Sequence, residues 1–166
     1  MTQQNWSKNI DFNDRDFLQP KSLAELQELV RANAKLRARG TAHCFNEIAN
    51  TSSYAINLAK MPRIIEVNEA TKSVKVSSAL TYGELAPELH NQGWALNNLA
   101  SLPHISIAGS ISTGTHGSGI KNQNLANQVL SLDIVTAEGE LRHIDRANPA
   151  FKALVVGLGL GGIVYQ

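Results

Sequence analysis

Ser101-Leu102-Pro103-His104-Ile105-Ser106-Ile107-Ala108-Gly109, running on to Thr113-Gly114-Thr115-His116-Gly117-Ser118-Gly119, is the stretch on which the reading of this chain turns. Every residue from 109 to 119 except Ile111 is Gly, Ser, Thr or His, so apolar burial cannot organise the segment and it must line something polar. Glycine lets a backbone approach a ligand closely, and Ser and Thr hydroxyls add donors for phosphate or sugar oxygens. A flexible surface loop is the competing reading of such a composition. Against it stands the approach to the run, where Ile105, Ile107 and Ala108 interleave with small residues and suit a short helix packed under a ligand.

A second stretch, Arg39-Gly40-Thr41-Ala42-His43-Cys44-Phe45-Asn46, lies far upstream. Leu36 to Arg39 is short enough for a buried strand ending at Gly40, which places His43 on a loop at the C-terminal edge of a small sheet, where ligands favour binding. Gly40, Thr41 and Ala42 offer successive backbone amides with no Lys in the loop, so amide dipoles would hold a diphosphate here while His43 points at the attached ring system. A neutral imidazole is also a competent nucleophile. A surface or capping role is the bland alternative for His43, and a small packing role for Cys44 beside it. Taken together the two stretches point to a flavin nucleotide, FAD.

Bulk composition excludes more than it reveals. A chain of 166 residues with 43% hydrophobic content can bury a core as one domain or as two lobes sharing an interface. Fifteen Lys and Arg against fourteen Asp and Glu, with no basic run, give little electrostatic support for a nucleic-acid or anionic-membrane partner. The single cysteine cannot form an internal disulfide, and Met1-Thr2-Gln3-Gln4-Asn5 lacks the basic-then-apolar pattern of a secretion signal, so the cytoplasm is the default expectation. The apolar run Ala153 to Tyr165 is too short for a membrane span and is broken by four glycines. The histidines and Cys44 show no zinc spacing, and no metal site is expected.

Ser22 and Glu25 have capping-box spacing, and Leu23, Leu26, Leu29 and Val30 form one stripe, which predicts a helix over Ser22 to Ala34. Tyr54 to Leu58 reads as a strand, and Ile64 to Val67 with Val74 to Ser77 as a hairpin. Thr81 and Glu84 repeat the capping spacing and Gly93 supplies a left-handed closure, predicting a helix over Thr81 to Gln92. Leu130, Leu132 and Ile134 alternate with Ser131, Asp133 and Val135, and Glu138-Gly139 turns the chain into Leu141 to Ile144. A short helix near Phe151 to Val155 and a strand opening at Gly161 complete the pattern. Gly157-Leu158-Gly159-Leu160-Gly161-Gly162 imitates a dinucleotide fingerprint, but it follows a helix and is rejected as a Rossmann site. No Gly-Lys-Ser/Thr marks a Walker loop.

The expected fold is therefore α+β, with a small βα lobe over residues 1–65 followed by a mainly antiparallel sheet lobe with helices over 66–166. Together these would form a two-lobed FAD-binding domain.

Ala100-Ser101-Leu102-Pro103-His104-Ile105-Ser106 and Thr113 to Gly119, with the glycine turn at His43, resemble the flavoprotein oxidases of the vanillyl-alcohol-oxidase type, and within them the alditol (xylitol or sorbitol) oxidases. The similarity covers essentially the whole chain. It implies that Ala38, Arg39, Gly40, Thr41, Ala42, His43 and Cys44 form the diphosphate loop, with His43 joined covalently to the flavin. It further implies that Ser101, Ser106, Gly109, Thr113, Gly114, Thr115, His116 and Ile163 contact FAD, that Ser101 also lies near the substrate, and that Ala100 governs oxygen access. By the same resemblance the activity would be oxidation of a polyol or sugar-derived alcohol with oxygen as acceptor. The residues that grip the substrate would lie in a substrate domain beyond residue 166.

Two departures from the family pattern stand out. Where the family has Gly-His-Ser this chain has Ala42-His43-Cys44, so a left-handed backbone at position 42 would cost on the order of 1 kcal/mol. The other departure is length, which leaves open a non-catalytic flavin module needing a partner domain. A sugar-lactone oxidase or dehydrogenase is the further alternative.

Overall fold

The fold, described by a computed structural model over residues 3–166, begins with a parallel sheet. Its strands are β1 (Asp16–Leu18), β2 (Leu36–Ala38) and β3 (Tyr54–Ile56), in the order β1-β3-β2. Ala55 at its centre is fully buried and stands opposite Phe17 on one side and Arg37 on the other. Between β1 and β2 runs α1 (Leu23–Ala32), started by Ser22, whose hydroxyl accepts from the Glu25 amide at 3.2 Å. Leu26 and Val30, four residues apart, fall on its buried face.

The second half is antiparallel. β4 (Ile65–Asn68) and β5 (Ser73–Val76) make a hairpin, and β6 (Ser131–Val135) pairs with β7 (Leu141–Asp145) on one side and β8 (Ile163–Val164) on the other. Three helices accompany them: α2 (Tyr82–Asn91), α3 (Ile107–Ser112) and α4 (Phe151–Val155). α2 carries the full capping box predicted for Thr81 and Glu84, and the two hydrogen bonds from Thr81 hold the Glu84 carboxyl below its ordinary pKa. Gly93 closes that helix at φ 77°. The α+β architecture matches the sequence expectation.

A shared core joins the two halves. Leu26, Val30, Ile56 and Leu58 from the first pack with Val135 and Ile163 from the second. Alternation along β6 had put Val135 on the polar face with Ser131 and Asp133, yet it is fully buried. The reason is α1, which crosses this end of the strand and is pinned there by Gln27 Nε2 donating to the Gly139 carbonyl at 2.8 Å. Covering such a Val side chain is worth about 1.5–3 kcal/mol. On the other face of β6, Leu132 and Ile134 pack with Tyr82, Ile111, Leu125, Phe151 and Val155.

Polar anchors fix the rest of that strand. Asp133 on β6 accepts from Gln166 Nε2 at 2.7 Å and meets His143 Nδ1 at 2.6 Å. Burial pushes its pKa up, but these bonds and the nearby Lys75 ammonium outweigh burial and leave the carboxyl below its ordinary value. No helix among the described residues is long and apolar enough to cross a membrane.

Candidate functional site

Arg39 ends β2 with its amide donating to the Ile56 carbonyl at 2.9 Å, the last parallel-sheet bond before the chain leaves for the His43 loop. From there four carbonyls between Arg39 and Cys44 are held by donors outside the loop. Asn57 Nδ2 donates to the Arg39 carbonyl at 2.7 Å and to the Gly40 carbonyl at 3.1 Å. The Trp6 amide donates to the Ala42 carbonyl at 2.8 Å, and Asn5 Nδ2 to the Cys44 carbonyl, also at 2.8 Å. None of the backbone amides from Gly40 to Cys44 donates to an acceptor among the described residues. A row of unpaired N–H groups with fixed carbonyls is a concave anion receptor. Ala42 sits at φ 56°, a left-handed conformation that glycine adopts without strain.

Opposite this loop stands α3. The Ser106 amide donates to Thr41 Oγ1 at 3.3 Å, stitching the two segments together. A Cβ on Gly40 would collide with Ser106 Oγ, and one on Gly109 would come within 2.8 Å of the same atom, so a side chain at either position would displace the Ser106 hydroxyl from between them. From below, Tyr82 Oη and Ser110 Oγ, 3.1 Å apart, tie α3 to α2. Burial raises the Tyr82 pKa, partly offset by that bond.

The loop and α3 form the walls of one cleft of about 630 Å³. Of the residues assigned by sequence, Ala38 to Cys44, Ser106, Gly109, Thr113, Thr115 and Ile163 line it. Gly114 turns the chain between two of these at φ 64°, whereas Ser101 and His116 are exposed outside the lining. Arg39 lines the cleft, but its guanidinium does not serve it. That group is buried at 3% exposure, bonded to Asp14 at 2.7 Å and stacked between the rings of Phe12 and Phe17.

Sequence reasoning missed several parts of the site. Asn57 and Asn5 carry no motif, and only the folded chain shows them holding loop carbonyls. The 157–162 run, rejected as a dinucleotide fingerprint, supplies Leu158, Gly159 and Gly162 to the cleft wall. Its glycine spacing was the available signal. His43 itself lies among rings: Trp6 stacks on it at 4.6 Å, His104 stands 5.1 Å away, and Phe45 meets it edge-on at 5.4 Å. His43 Nε2 is buried with no hydrogen-bond partner among the described residues.

Residues 16–145 match the family described as "FAD binding domain". The chain belongs to that family. This FAD-binding domain is 39% identical over 163 residues to the alditol oxidase of Streptomyces sp. strain IKD472, a match covering 96% of the chain and 39% of the relative. Mouse L-gulonolactone oxidase is 32% identical over 97% of the chain and 38% of its own length. The L-gulono-1,4-lactone dehydrogenase of Mycobacterium tuberculosis H37Rv is 33% identical over 90% of the chain and 36% of its own length. The FAD-binding domain thus spans under two fifths of these curated relatives.

The site's geometry fits the cofactor of its family. Among the described residues the amides from Gly40 to Cys44 are unpaired and suit a diphosphate, the two glycines admit close approach, and the His43 imidazole retains an unsatisfied ring nitrogen.

Proposed function

We propose that this chain is the cofactor-holding part of an alditol-oxidase-type flavoprotein, with FAD attached covalently through His43. The observation that carries the reading is the run of amides beside His43, unpaired among the described residues, in a loop that lines one cleft with α3. In this reading the 40–44 amides hold the diphosphate, Ser106 and Gly109 approach the cofactor from the α3 side, and Thr113 and Thr115 add hydroxyl donors. Bound FAD would take hydride from a substrate carbinol, with oxygen as the final acceptor. Ser101, at the exposed rim next to cleft residue Leu102, would meet a polyol substrate. Residues that bind the rest of the substrate would come from a further domain, since the chain matches only 39% of the Streptomyces relative.

A sugar-lactone substrate is the second reading, favoured by the similarity to the mouse and mycobacterial enzymes. The test is a purified, FAD-reconstituted chain run on a denaturing gel, where flavin fluorescence should remain with the protein and vanish in His43→Ala. Fluorescence that persists in His43→Ala would refute the attachment. Peroxide release on xylitol, sorbitol and L-gulonolactone then separates the substrates: a preference for the lactone overturns the polyol assignment. Steady turnover by the isolated chain would exclude a module that needs a partner domain.

A further inference from the structure

Trp6 is 55% exposed, so it contributes little to any core. Its indole nevertheless lies nearly parallel to the His43 imidazole, with centroids 4.6 Å apart and planes inclined by 23°. The backbone explains how it is held there. Trp6 N donates to the carbonyl just before His43, while the neighbouring Asn5 side chain donates to the carbonyl just after it, at 2.8 Å in each case. Residues 5 and 6 therefore bracket His43 on both sides. Asn5, only 2% exposed, also accepts from the amides of Asn9 and Ile10, which folds the segment back on itself and fixes where the indole emerges. His104 stands across from the pair, its ring 6.1 Å from Trp6 and inclined to it by 16°.

Among the described residues, the buried Nε2 of the His43 imidazole has no hydrogen-bond partner to set the ring's rotation about χ2. Ring stacking is what remains to orient it, and such contacts are worth about 0.5–1.5 kcal/mol. We propose that Trp6 is the positioning residue of His43, clamping the imidazole in the one orientation from which it can engage the cofactor. The proposal rests on the FAD reading for its purpose but not for its geometry.

The test uses the full chain in three forms: wild type, Trp6→Ala and Trp6→Phe. In the chain without cofactor, ¹³C-edited NMR should show the His43 ring protons shifted upfield by the indole in the wild type. That shift should be lost in Trp6→Ala and largely kept in Trp6→Phe. With FAD added, the rate at which flavin becomes inseparable from the denatured chain should fall about tenfold in Trp6→Ala and recover in Trp6→Phe. The melting temperatures should stay within a few degrees of each other, because the side chain is half in water. Unchanged His43 resonances in Trp6→Ala would overturn the proposal, as would an attachment rate that Trp6→Ala leaves intact. If the wild type takes up no FAD, the FAD reading fails, and the positioning role then stands if the His43 ring protons lose their fixed set of NOEs to neighbouring residues in Trp6→Ala and falls if they keep it.

Discussion

The loop from Gly40 to Cys44 and the run from Gly109 to Gly119 are both rich in small residues, but they are held to different degrees from outside. In the loop, carbonyls are tied from outside by Asn57, Trp6 and Asn5, and the amides of a loop that lines the cleft have no partner among the described residues. In the run, most ties are local: Ser110 N donates to Ser106 O within α3, and Thr113 Oγ1 folds back onto the Gly109 carbonyl at 3.1 Å, while Leu158 N and Leu125 N hold the Ser112 and Thr115 carbonyls from outside. Beyond Thr115 the ties are short-range, with His116 Nδ1 3.1 Å from the Gly117 carbonyl and Asn122 N donating to the Gly119 carbonyl, and His116 to Gln123 is exposed. Composition marks where a backbone is able to approach a ligand. The fate of the carbonyls decides where its amides point.

Breaking an outside tie should have the largest effect. Asn5→Ala removes a buried side chain bonded to Cys44 O and to two amides of its own segment, and should cost about 2–3 kcal/mol in denaturant unfolding. FAD binding should weaken with it. Next comes Gly40→Ala, whose methyl group forces Ser106 Oγ out of the gap between Gly40 and Gly109, at about 1–2 kcal/mol. Adding Ser106→Ala in the same chain should recover most of that loss. A full loss in the double variant would mean that the backbone, not the hydroxyl, is the obstacle.

Ala42→Gly sharpens the comparison in the other direction. Ala42 is left-handed at φ 56°, so glycine there should raise stability by up to about 1 kcal/mol, read as a higher melting temperature. The smallest effect belongs to the exposed run. A Cβ at Gly117 meets nothing within 4 Å, and Gly117→Ala should change stability by less than about 0.5 kcal/mol. A larger drop would show that the run is held as tightly as the loop.

Much of this was legible in the sequence, for reasons that differ by element. α1 and α2 announce themselves through Ser22 and Thr81, because a cap and an apolar stripe are local features. β1 was not found: three residues, Asp16 to Leu18, are too few to show a period, and they become a strand only by pairing with β3. Val135 was misplaced because its burial depends on a helix more than a hundred residues away. In the site, glycine and histidine drew attention to both walls, while the asparagines that aim the amides did not. Arg39 shows the converse, a residue of the motif whose charge is spent on Asp14, away from the cleft.

The central claim is that the His43 loop and α3 enclose one FAD, and a calorimetric titration of FAD into the purified chain tests it most directly. One FAD should bind per wild-type chain, with affinity at least tenfold weaker in Gly40→Ala and unchanged in Gly117→Ala. A wild-type chain that binds no FAD, or a Gly40→Ala chain that binds it equally well, would contradict the account.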